Sequence, residues 1–326
     1  HQLHKHYKKL EARLEERAEN TDSSGEKKND RYISTTDPDA AIVYREKYKL
    51  SYKVHRAVDG KHEIITATEA TRGDINEAHR MFPLLEKHHA TTEIEAETVV
   101  ADSKYGTIDN FLACHDLGIR AHMPALQDSI SKRTANRKIF TEDRFQYDAA
   151  TDTYRCPAGA LLKPKSQFTN GQARDYGAAR KTCSSCRLRE QCTKNKGGRT
   201  IRRHRRQDVL EHMRTISRSA NARFDIKTRQ HLMERSFARG TRYGYDHARW
   251  RGLWRIRIQE YLTCAIQNIQ VLIAHAFKPK KAAAVKLPAV QRTLVTALGW
   301  LRFQAVLKRK PYLPTIGHEC FSYDGA

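Results

Sequence analysis

A mixed α/β fold is what this sequence predicts, and three observations carry it. Strand-like alternation and helix-like periodicity follow one another between Lys49 and Met123. Hydrophobic residues make up 39% of the 326, enough to build a core and too many for a wholly disordered or collagenous chain. No stretch approaches the roughly 18 consecutive apolar residues of a membrane span, and no secretory apolar segment follows the start.

The elements follow in order. Residues 3–19 read as a charged helix with Leu3, Leu10 and Leu14 on one side, and the polar stretch 20–31 reads as a linker. Residues 49–58 (KLSYKVHRAV) alternate like a half-buried strand, Asp59-Gly60 gives hairpin chemistry, and 62–70 is the returning strand. Asp74 is placed to cap a helix to about His89 with Ala78, Met81, Phe82 and Leu85 inward. Residues 97–101 form a short strand ending at Asp102. A helix over 107–117 is closed by Gly118, and a last short strand covers 119–123. Helical spacing returns at 225–237 through Ile226, Leu232 and Phe237, and is strongest at 253–276. There Ile258, Leu262, Ala265, Ile269, Leu272 and Ala276 form a stripe expected to pack in the core. The resulting division is a charged helix and linker (1–31), a first α/β part (32–127), a basic Cys-rich insertion (128–224) expected to have little core of its own, C-terminal helices (225–278) and a tail (279–326).

Charge narrows the partner. Lys and Arg number 60 against 37 Asp and Glu, a formal charge of +23. Such an excess favours a polyanion, since phosphates reward Lys and Arg through counterion release. Two windows concentrate the arginines, Arg199–Arg206 and Arg239–Arg257, eleven in all. Arg202, Arg203, Arg205, Arg206, Arg235, Arg239, Arg242, Arg249 and Arg251 are the candidate DNA contacts, to phosphate and without base specificity. A merely solvated face is the competing reading. Tyr243, Tyr245, Trp250 and Trp254 lie in the second window, where base stacking competes with core packing; for Trp254 core packing is the expectation.

The seven cysteines, without a secretory leader, do not read as a disulfide framework. Cys156, Cys183, Cys186 and Cys192 cluster as Cys-Pro-x-Gly and Cys-x-x-Cys-x5-Cys, which suits thiolate ligation of Zn²⁺. The alternative is ordinary thiols in a basic loop, activated by neighbours such as Lys181, Arg187 and Arg189. Cys114, Cys264 and Cys320 read as plain core residues.

Two carboxylates stand out. Asp102 ends a short apolar strand in Val99-Val100-Ala101-Asp102-Ser103-Lys104-Tyr105-Gly106, where a strand fixes direction and the loop exposes the group. A turn-capping role is the simpler alternative. Glu234 lies in Arg229-x4-Glu234-Arg235-Ser236-Phe237 on a helix whose Leu232 and Phe237 face a core. A solvated ion-paired face is its alternative.

Taken together, VVADSKYG, RQHLMERSFARG…YGYDHARWRGL and the Cys-rich segment Tyr154–Cys192 resemble the DDE transposases of bacterial insertion sequences, over roughly residues 30–277. That resemblance implies a ribonuclease H-like mixed sheet with flanking helices, interrupted by the Cys-rich insertion. It implies a homo-oligomer that cuts and joins double-stranded DNA with two Mg²⁺ or Mn²⁺ ions. A cytoplasmic, nucleoid-associated location follows, with no membrane partner. It makes Asp102 the second catalytic Asp and Glu234 the catalytic Glu, both metal ligands. The family's first Asp, in an Asp-Gly-Thr/Ser context, has no counterpart in residues 1–35. Asp59 is better explained by its hairpin, and Asp37 and Asp39 lie in a Pro-containing loop after the first strand. The chain is therefore expected to start after that strand and to be catalytically poor or dead. Where the family often has Lys, seven residues after Glu234, stand Thr241 and then Arg242. The rival readings are a non-catalytic zinc-ribbon DNA-binding remnant and a cellular nuclease of the same fold.

Overall fold

A computed structural model describes residues 2–19, 29, 32–44, 47–165 and 172–276. After helix α1 (Gln2–Glu19) come three antiparallel strands, β1 (Ala41–Tyr44), β2 (Tyr48–Val58) and β3 (Ile65–Arg72), with β2 in the middle. The β2–β3 hairpin turns at Asp59 as its chemistry requires: the carboxylate accepts the backbone N–H of His62 at 2.7 Å. A turn of 3-10 helix (Glu77–Arg80) leads into α2 (Met81–Thr92). Its cap is Asn76, which accepts the N–H of Ala78. Asp74 is held instead by Arg72 at 3.1 and 3.2 Å. Ala78, Met81 and Leu84 are buried there, whereas Phe82 and Leu85 pack half-buried against the core.

Next come β4 (Thr98–Val100), α3 (Ile108–Asp116) and β5 (Arg120–His122), with β4 and β5 parallel, as a βαβ unit demands. Thr107 caps α3 through the N–H of Asn110, and Gly118 ends it at φ +68°. The main core gathers Met81, Phe111, Cys114, Ala121, Met123, Leu210 and Met213. The last two belong to α7 (Gln207–Ser217), so this helix is part of the α/β body and not of the insertion.

The insertion differs from expectation in a second way. After α4 (Leu126–Asn136), strands β6 (Gln146–Asp148), β7 (Thr153–Arg155), β8 (Leu161–Pro164), β9 (Ala173–Gly177) and β10 (Thr200–His204) form an antiparallel sheet in the order β10-β9-β8-β7-β6. Two short helices, α5 (Arg180–Ser184) and α6 (Arg189–Cys192), lie between β9 and β10. Phe145, Tyr154, Leu162, Tyr176 and Ile201 give this unit a core of its own. Strands of three to five residues are too short to show a period, so single residues from four strands, with Phe145 just before β6, make a cluster that no sequence window displays.

Helix α8 (Ala220–Thr241), capped by Ser219, buries Leu232 and Phe237; it is followed by α9 (Leu253–Ala276). The α9 stripe is reversed from expectation. Ile258, Leu262, Ala265, Ile269, Leu272 and Ala276 face outward, while Ile256, Glu260, Thr263, Cys264, Gln267 and Val271 face the sheet. Trp254 is likewise 59% exposed, not a core residue. The cause sits on β2, where buried Arg56 draws the polar side of α9 inward. Its guanidinium binds Glu260 in bidentate fashion at 2.5 and 2.9 Å and packs against the rings of Phe237 and Tyr245. Cys114 and Cys264 are buried as expected, whereas Cys320 and the tail 279–326 lie outside the described residues.

Candidate active site

The strand edges frame the site. β1 covers only Tyr48–Ser51 of β2, and β3 pairs Tyr52–Val58 along the opposite edge. Among the described residues β4 pairs only with β5. A groove of about 1160 Å³ lies between the open edge of β2 at Tyr52–Val58 and β4, walled by α2 and α8.

Asp102 enters this groove from the C-terminal end of β4. Its Oδ1 accepts the N–H of Lys104 at 2.8 Å, so the turn-capping role is real, and Oδ2 has no hydrogen-bond partner among the described residues. Gly106 seats the loop. A Cβ there would collide with the carbonyl oxygen of Pro124, and the Gly106 carbonyl accepts the Leu126 N–H at 2.8 Å. Tyr105 packs half-buried beside Asp102; desolvation and then the nearby Glu77 and Asp102 charges push its phenol above the ordinary range.

Glu234 reaches the same groove from α8, half exposed, with Oε1 accepting from Gln230 at 3.1 Å and Oε2 3.9 Å from His231. Two charged groups on α8 escaped the sequence reading. Asp225 holds His122, at the end of β5, at 2.6 Å. Arg229 lines the groove with its Nε buried and without a partner. The available signal was helical spacing, since Asp225, Arg229, Leu232 and Phe237 share one face.

Asp37 and Asp39 do other work. Asp37 accepts from the Tyr52 hydroxyl at 2.7 Å and the Gly252 N–H at 3.2 Å, and Asp39 accepts from Leu253 N–H at 3.0 Å and from Arg13 at 2.8 Å. They satisfy the otherwise bare N-terminus of α9 from a distant loop.

Cys156, Cys183, Cys186 and Cys192 do converge, lining one small cavity of about 40 Å³ beside Phe145 and Leu162. Burial raises the Cys192 thiol; Arg199 opposes this and the other three sulfurs reinforce it. The Cys156-Pro157-Ala158-Gly159 turn is closed by Gly159 N–H to Cys156 O at 2.8 Å. Gly198, at φ +95°, lets the chain approach Cys183, where a Cβ would stand 2.8 Å from the sulfur. All four thiols are free.

Of the nine arginines, five are ion-paired. Arg202 binds Asp175, Arg203 binds Asp208, Arg206 binds Asp116, and Arg235 and Arg239 both bind Glu63. Arg249 donates to the Tyr243 carbonyl at 2.9 Å, while Arg205, Arg242 and Arg251 are exposed. Tyr245 is buried beside Phe237, and Trp250 is 45% exposed.

Residues 155–273 match the family described as "Transposase DDE domain". The match supports a DDE transposase. It runs from the insertion through Glu234 to Ile273 in α9 and does not include Asp102. A DDE transposase domain implies nuclease or transposase activity and a DNA substrate, and such domains generally use divalent metals. No curated protein and no solved structure matches the chain. Among the described residues, no group of three or more His, Cys, Asp or Glu is arranged to hold a metal ion. No described helix is long and apolar enough to cross a membrane.

Proposed function

We propose that the chain carries the body of a transposase that cuts DNA and transfers strands, with Asp102 and Glu234 as two of its three metal-binding carboxylates. One observation carries this reading: the two groups, far apart in sequence and on different elements, line a single groove. Their donors are hard oxygens, which suit Mg²⁺ or Mn²⁺. When bound, such ions activate a water or 3′-hydroxyl and steady the leaving oxygen of a phosphodiester.

The protein's own part is positioning. The Lys104 N–H fixes Asp102 and directs Oδ2 outward; Gln230 steadies Glu234 on its helix. Arg229 offers a buried, unpartnered guanidinium nitrogen that suits a phosphate oxygen. For the third carboxylate, the candidates that the sequence offers are already engaged. Asp59 is spent on His62, and Asp37 and Asp39 on α9.

For the four clustered cysteines the proposal is structural zinc, supported by their convergence on one cavity. Homo-oligomerisation on DNA is likewise part of the proposal.

The test is a cleavage and joining assay on duplex DNA in Mg²⁺ and in Mn²⁺, with Asp102→Asn and Glu234→Gln beside the parent chain. Metal-dependent cleavage and joining that both substitutions abolish supports the reading. Cleavage without joining favours a cellular nuclease. DNA binding with no chemistry favours a non-catalytic remnant.

A further inference from the structure

The outward side of α9 is an apolar band left uncovered by the other described residues. Trp254, Tyr261, Leu262, Ile269, Leu272 and Ile273 are each more than half exposed. With Ile258 and Ile266, at 43% and 40%, they occupy a sector of about 140° on a helix about 36 Å long. The exposed apolar surface is on the order of 800 Å², above what a monomer ordinarily leaves bare. It equals one partner's share of a standard-size interface.

Charge selects the occupant. In a chain of formal charge +23, two copies repel over most approaches. From Ile258 to Ala276 the only charged side chain on α9 is Glu260, and it is turned inward to Arg56. This face is thus one where a second copy comes close without opposing Lys or Arg. Arg255, stacked on Trp254 at 4.9 Å, stands at the start of the helix. A two-fold, isologous contact lays the band of one copy on the same band of the other.

We infer that the outer face of α9 is an interface between two copies of this chain. The pairing needs neither DNA nor metal, although Leu272, towards the C-terminal end of the band, also lines the groove that holds Asp102 and Glu234.

The experiment is light-scattering mass of the full chain without DNA, at about 0.5 M salt so that bound nucleic acid does not bridge copies. The expected mass is twice the 37.6 kDa of one chain. Leu262→Glu with Ile269→Glu is expected to halve it without loss of helical circular dichroism, because both side chains are exposed. Ala265→Cys, at the middle of the band, is expected to gain a bismaleimide-linked dimer over the parent chain. A monomeric full chain overturns the inference, as does a dimer that the double substitution leaves intact. A full chain that is monomeric, but self-associates when ended after Ala276, also overturns it and assigns the band to residues 277–326.

Discussion

Arg56 and Glu260 form a fully buried, bidentate ion pair joining β2 to α9, with side chains 0% and 2% exposed. Thr68 donates to the same carboxylate at 2.8 Å, Cys264 donates to it at 3.1 Å, and the Arg56 guanidinium reaches Ser236 on α8 at 3.3 Å. One charge pair therefore ties the sheet to both C-terminal helices, including the one that carries Glu234. Removing one partner leaves an uncompensated buried charge. Arg56→Met or Glu260→Gln is expected to cost about 3–5 kcal/mol in urea unfolding, and Arg56→Met with Glu260→Leu to recover most of it. Additive losses in the double substitution would contradict the pair.

His55, beside Arg56 on β2, is 4% exposed and bonded to the Thr71 hydroxyl at 2.9 Å. Burial lowers its pKa to about 4; Glu77 and Glu69 oppose this, and Lys53 and Arg80 reinforce it. Between that value and the ordinary 6.5, the unfolded chain holds a proton that the folded chain does not. Stability from this group is therefore full above about pH 6.5 and is lost as pH falls toward 4, by about 3 kcal/mol in total. Urea midpoints at pH 5 and pH 7.5 check it, and His55→Gln is expected to flatten the difference.

Glu63 holds both Arg235 and Arg239, at 2.7 and 3.0 Å, so two of the proposed phosphate contacts are engaged within the protein. Glu63→Gln is expected to raise affinity for duplex DNA two- to fivefold and to steepen its salt dependence, as measured by fluorescence anisotropy across a salt series. Unchanged affinity would leave these arginines with a structural role only. Arg242→Ala and Arg251→Ala are expected to weaken binding evenly across sequences.

The clustered cysteines make a metal-analysis prediction. On the zinc reading one equivalent accompanies the purified chain, and Cys186→Ser removes most of it. Chelation then loosens residues 150–195 while the α/β body persists, because the two units have separate cores. Metal-free protein with four freely reactive thiols would return these residues to ordinary loop cysteines.

Much of the frame was legible in the sequence, because local rules decide it. The strand expected at 49–58, the Asp59 turn, the Thr107 cap and Gly118 all act within a few residues, although the burial of that strand runs in pairs, Ser51-Tyr52 and His55-Arg56, and not in alternation. What escaped is set at a distance. Periodicity finds the α9 stripe but not which side turns in, and that is decided by Arg56 some 200 residues earlier. Asp37 and Asp39 read as loop carboxylates because the helix end they satisfy is equally remote. The core of the insertion is assembled from strands too short to carry a pattern. For the site, Asp102 and Glu234 were visible as types in context, but Arg229 and the His122–Asp225 pair needed the fold to bring β5 and α8 together.

The central claim is that Asp102 and Glu234 bind a divalent ion in one groove, and Mn²⁺ binding followed by electron paramagnetic resonance tests it without requiring turnover. The account predicts saturable binding weakened at least about tenfold by either Asp102→Asn or Glu234→Gln, the magnitude expected for losing a charged ligand. Binding that both substitutions leave unchanged, in chains that remain folded, would contradict it.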